Sequence, residues 1–147
     1  MKEPVIVVTM GDPCGIGPEI VALSLRDKNV WKACSPVVVG QKEIFDKAID
    51  IAKARIETIK IEGKGSAEET TTIEEARANV EKHGRVKVPF VSVGDVDIGK
   101  FKFGVLSEMC GKLSFQFIRK AVQMCMEGIA AGMATAPVNK YALRMAG

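Results

Sequence analysis

The sequence predicts an open, mostly parallel α/β sheet with helices on both faces, and three observations carry that expectation. Residues 5–9 (VIVVT) and 36–40 (PVVVG) are short apolar runs, as strands covered on both sides should be. Segments of helical periodicity alternate with them. A glycine-rich turn at residues 11–17 joins the first strand to a helix, so the opening reads βαβαβ.

The elements follow in order. The first helix begins at Pro18, carries Ile20, Val21, Leu23 and Leu25, and frays at residues 27–29. After the strand at 36–40, residues 41–54 place Ile44, Phe45, Ala48, Ile49 and Ala52 on one helical face and Lys42, Glu43, Asp46, Lys47 and Asp50 on the other. Residues 56–61 alternate as a half-exposed strand. Residues 62–85 are densely charged and read as a surface excursion, with Ile73, Ala76 and Val80 marking a short amphipathic helix; His83, the one histidine, reads as solvated. Residues 86–93 resume strand character, and Pro89 demotes them to an edge or a bulge. Asp95 and Asp97, flanked by Gly94 and Gly99, read as turn residues rather than as a weak cation site. The longest helix spans 107–128, with Ser107 as N-cap and Glu108 complementing the dipole. Its buried stripe is Cys110, Leu113, Phe117, Ile118, Ala121, Val122 and Cys125; Met109, Met124 and Met126 read as filler or adaptable contact surface. A small-residue strand at 129–136, a loop at 137–140 and a helix at 141–145 complete the chain.

Composition narrows the function classes. With 147 residues, 47% hydrophobic and 27% charged, the chain can build one domain around a core. A net charge of +3 gives no case for nucleic acid, and no run approaches the ~18 apolar residues of a membrane span, so a cytoplasmic protein is expected. Cys14, Cys34, Cys110 and Cys125 lack C-x-x-C spacing, which favours reduced thiols over bridges or a zinc site. Cys14 stands out only as a thiol beside a helix start.

Candidate site residues lie at the carboxyl ends of the first and last strands, where an open α/β sheet binds its ligands. Gly11, Gly15 and Gly17 allow positive φ or close approach. Pro18 suits the first helical position with Gly17 as N-cap, and the free N–H groups there suit an anion. Neither the dinucleotide pattern G-x-G-x-x-G nor the P-loop pattern is satisfied. Asp12 either closes the turn or orients a ligand. At the other end, Thr135, Asn139 and Lys140 line the last strand's exit, where the bland alternative for Lys140 is a solvated lysine.

TMGDPCGIGPEI resembles the N-terminal signature of the 4-hydroxythreonine-4-phosphate dehydrogenase family, which usually has Ala where Cys14 stands. TAPVNK at 135–140, followed by Ala146-Gly147, is similar to the family's T-[AG]-P-x-[NH]-K segment, and Leu106-Ser107-Glu108-x-x-Gly111 is a looser third match. The resemblance implies an isocitrate/isopropylmalate dehydrogenase-like fold and a homodimer. It also implies an oxidation and decarboxylation of 4-phosphohydroxy-L-threonine in vitamin B6 biosynthesis, dependent on NAD or NADP and on a divalent metal (Zn, Mg or Co). Dehydrogenases of D-threonate or D-erythronate 4-phosphate share these motifs. The family's three metal-binding histidines lie beyond the TAPxNK segment, so none of the present residues inherits a metal role. Residues 1–147 are therefore expected to be the N-terminal α/β part of a two-domain enzyme of roughly twice the length, inactive alone, with Asp12 and Lys140 as the only catalytic candidates. The alternative from another class is a truncated, non-catalytic domain that binds an anion or a partner.

Overall fold

A computed structural model describes residues 2–83 and 86–147, the side chains of residues 81–83 excepted. In chain order the elements are β1 (Val5–Thr9), α1 (Gly17–Ser24), α2 (Lys28–Ala33), β2 (Ser35–Gly40), α3 (Lys42–Ala52) and β3 (Ile56–Ile61). They continue with α4 (Ala67–His83), β4 (Val86–Ser92), α5 (Glu108–Met126), β5 (Gly132–Thr135) and α6 (Lys140–Met145). The five strands are all parallel, in the order β3-β4-β2-β1-β5. The α/β sheet expected from the sequence is present. Crossovers step one way along the sheet up to β3 and then reverse, so right-handed connections put α1 and α3 on one face and α4 and α5 on the other.

Burial follows the apolar pattern. All six residues of β2 are buried, as both-face coverage requires. Phe45 stacks on Phe90 with ring centroids 5.2 Å apart, which ties α3 to β4 across the sheet. Met10 fills the space over the end of β2: Gln41 N–H points at its sulfur, and a Cβ on Gly40 would overlap that side chain.

The sequence reading needs correction at several elements. Residues 62–85 are not mainly a surface excursion; seventeen of them form α4, the β3–β4 crossover, with Ile73, Ala76 and Val80 buried. Its high charge belongs to the outward face. The solvated reading of His83 concerns a side chain outside the described ones. Where fraying was expected, Asp27 caps α2 by accepting from Asn29 N–H, and Trp31 is buried with its indole N–H donated to Leu25 O. Pro89 does not mark an edge, because β4 lies between β3 and β2. Val93 N–H donates to Gly40 O, so alternate residues place Pro89 on the β2 side, and pairing with β2 starts only at Phe90↔Val38. The missing donor thus falls just below that ladder. On α5, Val122 is 45% exposed and leaves the expected buried stripe, whereas Met124 is buried as core filler and Met126, 84% exposed, is contact surface.

Candidate functional site

The loop after β1 leads to α1 on one face, and the loop after β5 leads to α6, which packs on α5 at the other. Between them lies a point where neighbouring strands send their connections to opposite faces, the usual position for a ligand crevice. The two loops touch. Asp12 N–H donates to Pro137 O at 2.9 Å, Ala136 N–H donates to Thr9 O at 3.1 Å, and Thr9 pairs with Thr135 in register.

Each candidate glycine has its own physical reason. Gly11 has φ +70°, and a Cβ there would overlap Pro137 O. Gly17 has ordinary φ, but a Cβ would overlap Met10 O and sit 3.2 Å from Ala136 Cβ. Gly15 is less constrained, its nearest neighbour being Asp12 Oδ2 at 3.4 Å. The helix start also differs from expectation: Ile16 is the N-cap and Gly17 the first helical residue, and Ile16 offers no side-chain acceptor. The first N–H groups of α1 therefore lack a side-chain partner.

Asp12 is buried, and its Oδ1 accepts from Cys14 N–H at 3.0 Å while its carbonyl accepts from Gly15 N–H at 3.1 Å. This is an Asx turn that shapes the loop. Across the crevice Thr135, Asn139 and Lys140 are exposed. Asn139 Oδ1 caps α6, accepting from Tyr141 N–H at 3.0 Å and Ala142 N–H at 3.1 Å, so its amide nitrogen is the group left to meet a ligand. The structure brings all seven predicted residues to the same end of the sheet, with Asp12 turned inward and the β5-side residues outward.

Two features of this end were missed. Thr9 is fully buried and its Oγ1 has no partner among the described residues; a hydroxyl at the last position of a buried strand was the available signal. The second corrects the cysteine reading. Cys14 and Cys110 are joined as a disulfide, with Cα atoms 6.0 Å apart and 96 positions apart in sequence. No local spacing could reveal it, because the fold lays the β1–α1 loop against the first turn of α5. Ser107 Oγ, the α5 N-cap accepting from Cys110 N–H, lies 4.0 Å from Cys14 Sγ. Asp12, Cys14 and Cys110 form a trio of potential metal-ligating atoms within 4.8 Å, but the joined sulfurs occupy one another.

A separate concave loop follows β3. Glu69 takes donors from the backbone N–H groups of Glu62, Gly63, Lys64 and Gly65 at 2.6 to 2.9 Å. Burial would raise its pKa, but these four donors outweigh it and hold the carboxyl below its ordinary range. This anion nest is filled by the chain's own carboxylate.

Among the described residues no helix is long and apolar enough to cross a membrane. Comparison with known proteins adds the family context. Residues 32–147 match the family model of pyridoxal phosphate biosynthetic protein PdxA. The chain is 30% identical over 145 residues to a 4-hydroxythreonine-4-phosphate dehydrogenase of Trichlorobacter lovleyi, covering 99% of the chain and 39% of that protein. It is 32% identical over 145 residues, with the same coverages, to a Halalkalibacterium halodurans protein named as a candidate D-threonate 4-phosphate dehydrogenase. The crystal structure of a 4-hydroxythreonine-4-phosphate dehydrogenase from Burkholderia phymatum superimposes with a TM-score of 0.82 at 28% identity, covering 100% of the chain and 40% of that structure. The Klebsiella pneumoniae counterpart gives 0.75 at 32%, covering 99% and 40%. The chain thus spans about two fifths of the length of the relatives it matches.

Proposed function

The chain belongs to the PdxA family of pyridoxal phosphate biosynthetic proteins, and from that premise we propose that the protein carrying it is a dehydrogenase of 4-phosphohydroxy-L-threonine. In this reading it oxidises the secondary hydroxyl with NAD or NADP and a divalent metal, Zn, Mg or Co, and the β-keto acid then loses CO2. A cytoplasmic homodimer belongs to the same proposal. The observation that supports it is convergence: the TMGDP and TAPVNK segments, from opposite ends of the chain, meet in one crevice through the Asp12–Pro137 hydrogen bond.

The residues present do not fit the metal or the nicotinamide cofactor. One histidine occurs in the sequence, and both sulfurs of the Asp12–Cys14–Cys110 trio are bonded to each other. The space beside Gly11 and Gly17 is filled by the protein's own backbone, not left as a cradle for a diphosphate. The part assigned to this chain is binding. Lys140 supplies a cation for a substrate carboxylate or phosphate, Asn139 an amide donor and Thr135 a hydroxyl, while Asp12 and the glycines hold the opposite wall in shape.

The test uses the longest polypeptide that the reading frame encodes, assayed for reduction of NAD and NADP with 4-phosphohydroxy-L-threonine and with D-threonate 4-phosphate. We expect turnover of the first substrate. Lys140→Ala should lower kcat/KM by about tenfold or more with little change in melting temperature, the signature of a lost binding cation. Higher kcat/KM on D-threonate 4-phosphate, the substrate in the name of an equally similar relative, would move the assignment within the family. A folded protein turning over neither would leave the reading of a non-catalytic, anion-binding domain.

A further inference from the structure

We propose that Cys14 and Cys110 are a reversible oxidation site, in which the disulfide fastens the Asp12 loop to the head of α5 and reduction releases it. The inference stands apart from the dehydrogenase reading, because it concerns how the loop is held and not what it binds.

The placement of the two residues carries the argument. Their Cα separation of 6.0 Å lies within the range that a disulfide spans. Both side chains are buried, at 4% and 0% exposure, so a pair of thiols, which needs more room than a disulfide, must displace something. The two sides differ in how readily they yield. Cys110 sits on α5, which is anchored by buried Leu113, Phe117, Ala121 and Met124. Cys14 sits on an irregular loop, held otherwise by its N–H to Asp12 Oδ1, by Asp12 N–H to Pro137 O and by Gly104 N–H to its own carbonyl at 2.7 Å. Reduction therefore moves the loop. The reduced state is also provided for, since Ser107 Oγ lies 4.0 Å from Cys14 Sγ, within the range of a sulfur hydrogen bond. Because Cys14 N–H orients the Asp12 carboxylate, the same movement loosens Asp12 and the wall it shapes. Cys34 and Cys125 are not bridged and give an internal reference.

With a hydroperoxide as oxidant the chemistry balances. Hydrogen peroxide converts one thiol to a sulfenic acid with release of water, and the second thiol attacks that sulfur, forming the S–S bond and releasing a second water. Two electrons pass from the sulfurs to the peroxide oxygens. A dithiol reductant reverses this by exchange through a mixed disulfide, ending as its own disulfide while both cysteines return to thiols.

The experiment equilibrates the native 147-residue chain in mixtures of reduced and oxidised glutathione, quenches with acid, and counts thiols after unfolding. The expected result is a change from four thiols to two within the accessible glutathione range, with peptide mass spectrometry placing the bridge at Cys14–Cys110. Hydrogen exchange is the second readout. Amides of residues 11, 12 and 14–16 should exchange about tenfold faster after reduction, and at that faster rate under either condition in Cys110→Ser. The proposal fails if the pair stays bridged in every mixture, if oxidation consumes Cys34 or Cys125 instead, or if exchange at those amides ignores the redox state. It fails equally if the reduced chain binds one zinc per molecule and no longer forms the bridge. The wild-type titration decides the matter even if the variant does not fold.

Discussion

At Gly11 two independent constraints coincide, a φ of +70° and the nearness of Pro137 O. Gly15, four residues on, has neither. Gly11→Ala should therefore destabilise by roughly 3 kcal/mol, from strain plus forced separation of the two loops, while Gly15→Ala should cost within about 1 kcal/mol. Urea denaturation of both variants checks the contrast, and equal costs would contradict it. Glu69 gives the pH prediction. Its folded pKa is lowered from 4.5, so its contribution is fully present above the unfolded value and is lost as pH falls through the lower folded value. Glu69→Gln should cost roughly 2 kcal/mol at neutral pH, since an amide offers one acceptor oxygen and turns N–H groups toward donors. The gap to wild type should narrow as pH falls below 4.5 and close through the lower folded value. Denaturation midpoints measured from pH 7 down to pH 3 test it, and a gap constant with pH would count against the nest.

Helix starts are the element-scale feature that matters most to the site. Ser107 caps α5 through Cys110 N–H, and Asn139 caps α6 through two N–H groups. Ser107→Ala should cost about 1 kcal/mol, whereas Ser107→Asp should retain most of the stability because a carboxylate accepts the same bond and suits the helix dipole. Thermal melts of the two variants decide this; if Asp is as costly as Ala, the cap is not what Ser107 supplies. At α4, charge concealed an element. Glu68, Glu74 and Glu75 are exposed while Ile73, Ala76 and Val80 are buried, so a sequence window averages to a polar segment although one narrow stripe packs on the sheet. Pro89 misled for the converse reason, since a missing donor signals an edge only if a neighbour would have used it.

On the scale of the whole molecule, β5 pairs only with β1 among the described residues, and large apolar side chains stay exposed on the adjoining helices. Phe115, Val122, Met126, Tyr141 and Met145 are 44 to 84% exposed. Surface of this kind drives association, so the 147-residue chain should self-associate at tens of micromolar, and light scattering should show a mass above 15.8 kDa. A clean monomer that binds no apolar dye would contradict this.

Much of the architecture was legible because its signals are local. The unbroken apolar run of β2, the period of α3, Ser107 ahead of α5 and the glycines after β1 each state a requirement of neighbouring residues, and the TMGDP and TAPVNK segments are continuous in sequence. The common location of the seven candidate residues, at the carboxyl ends of the first and last strands, could therefore be expected from the sequence. What only the tertiary structure decided was adjacency. The strand order, the interior position of β4, the contact of Asp12 with Pro137 and the bond between Cys14 and Cys110 join residues far apart in the chain. Such pairings are selected by the burial and steric fit of the whole fold, and no periodicity or spacing in a linear window encodes them.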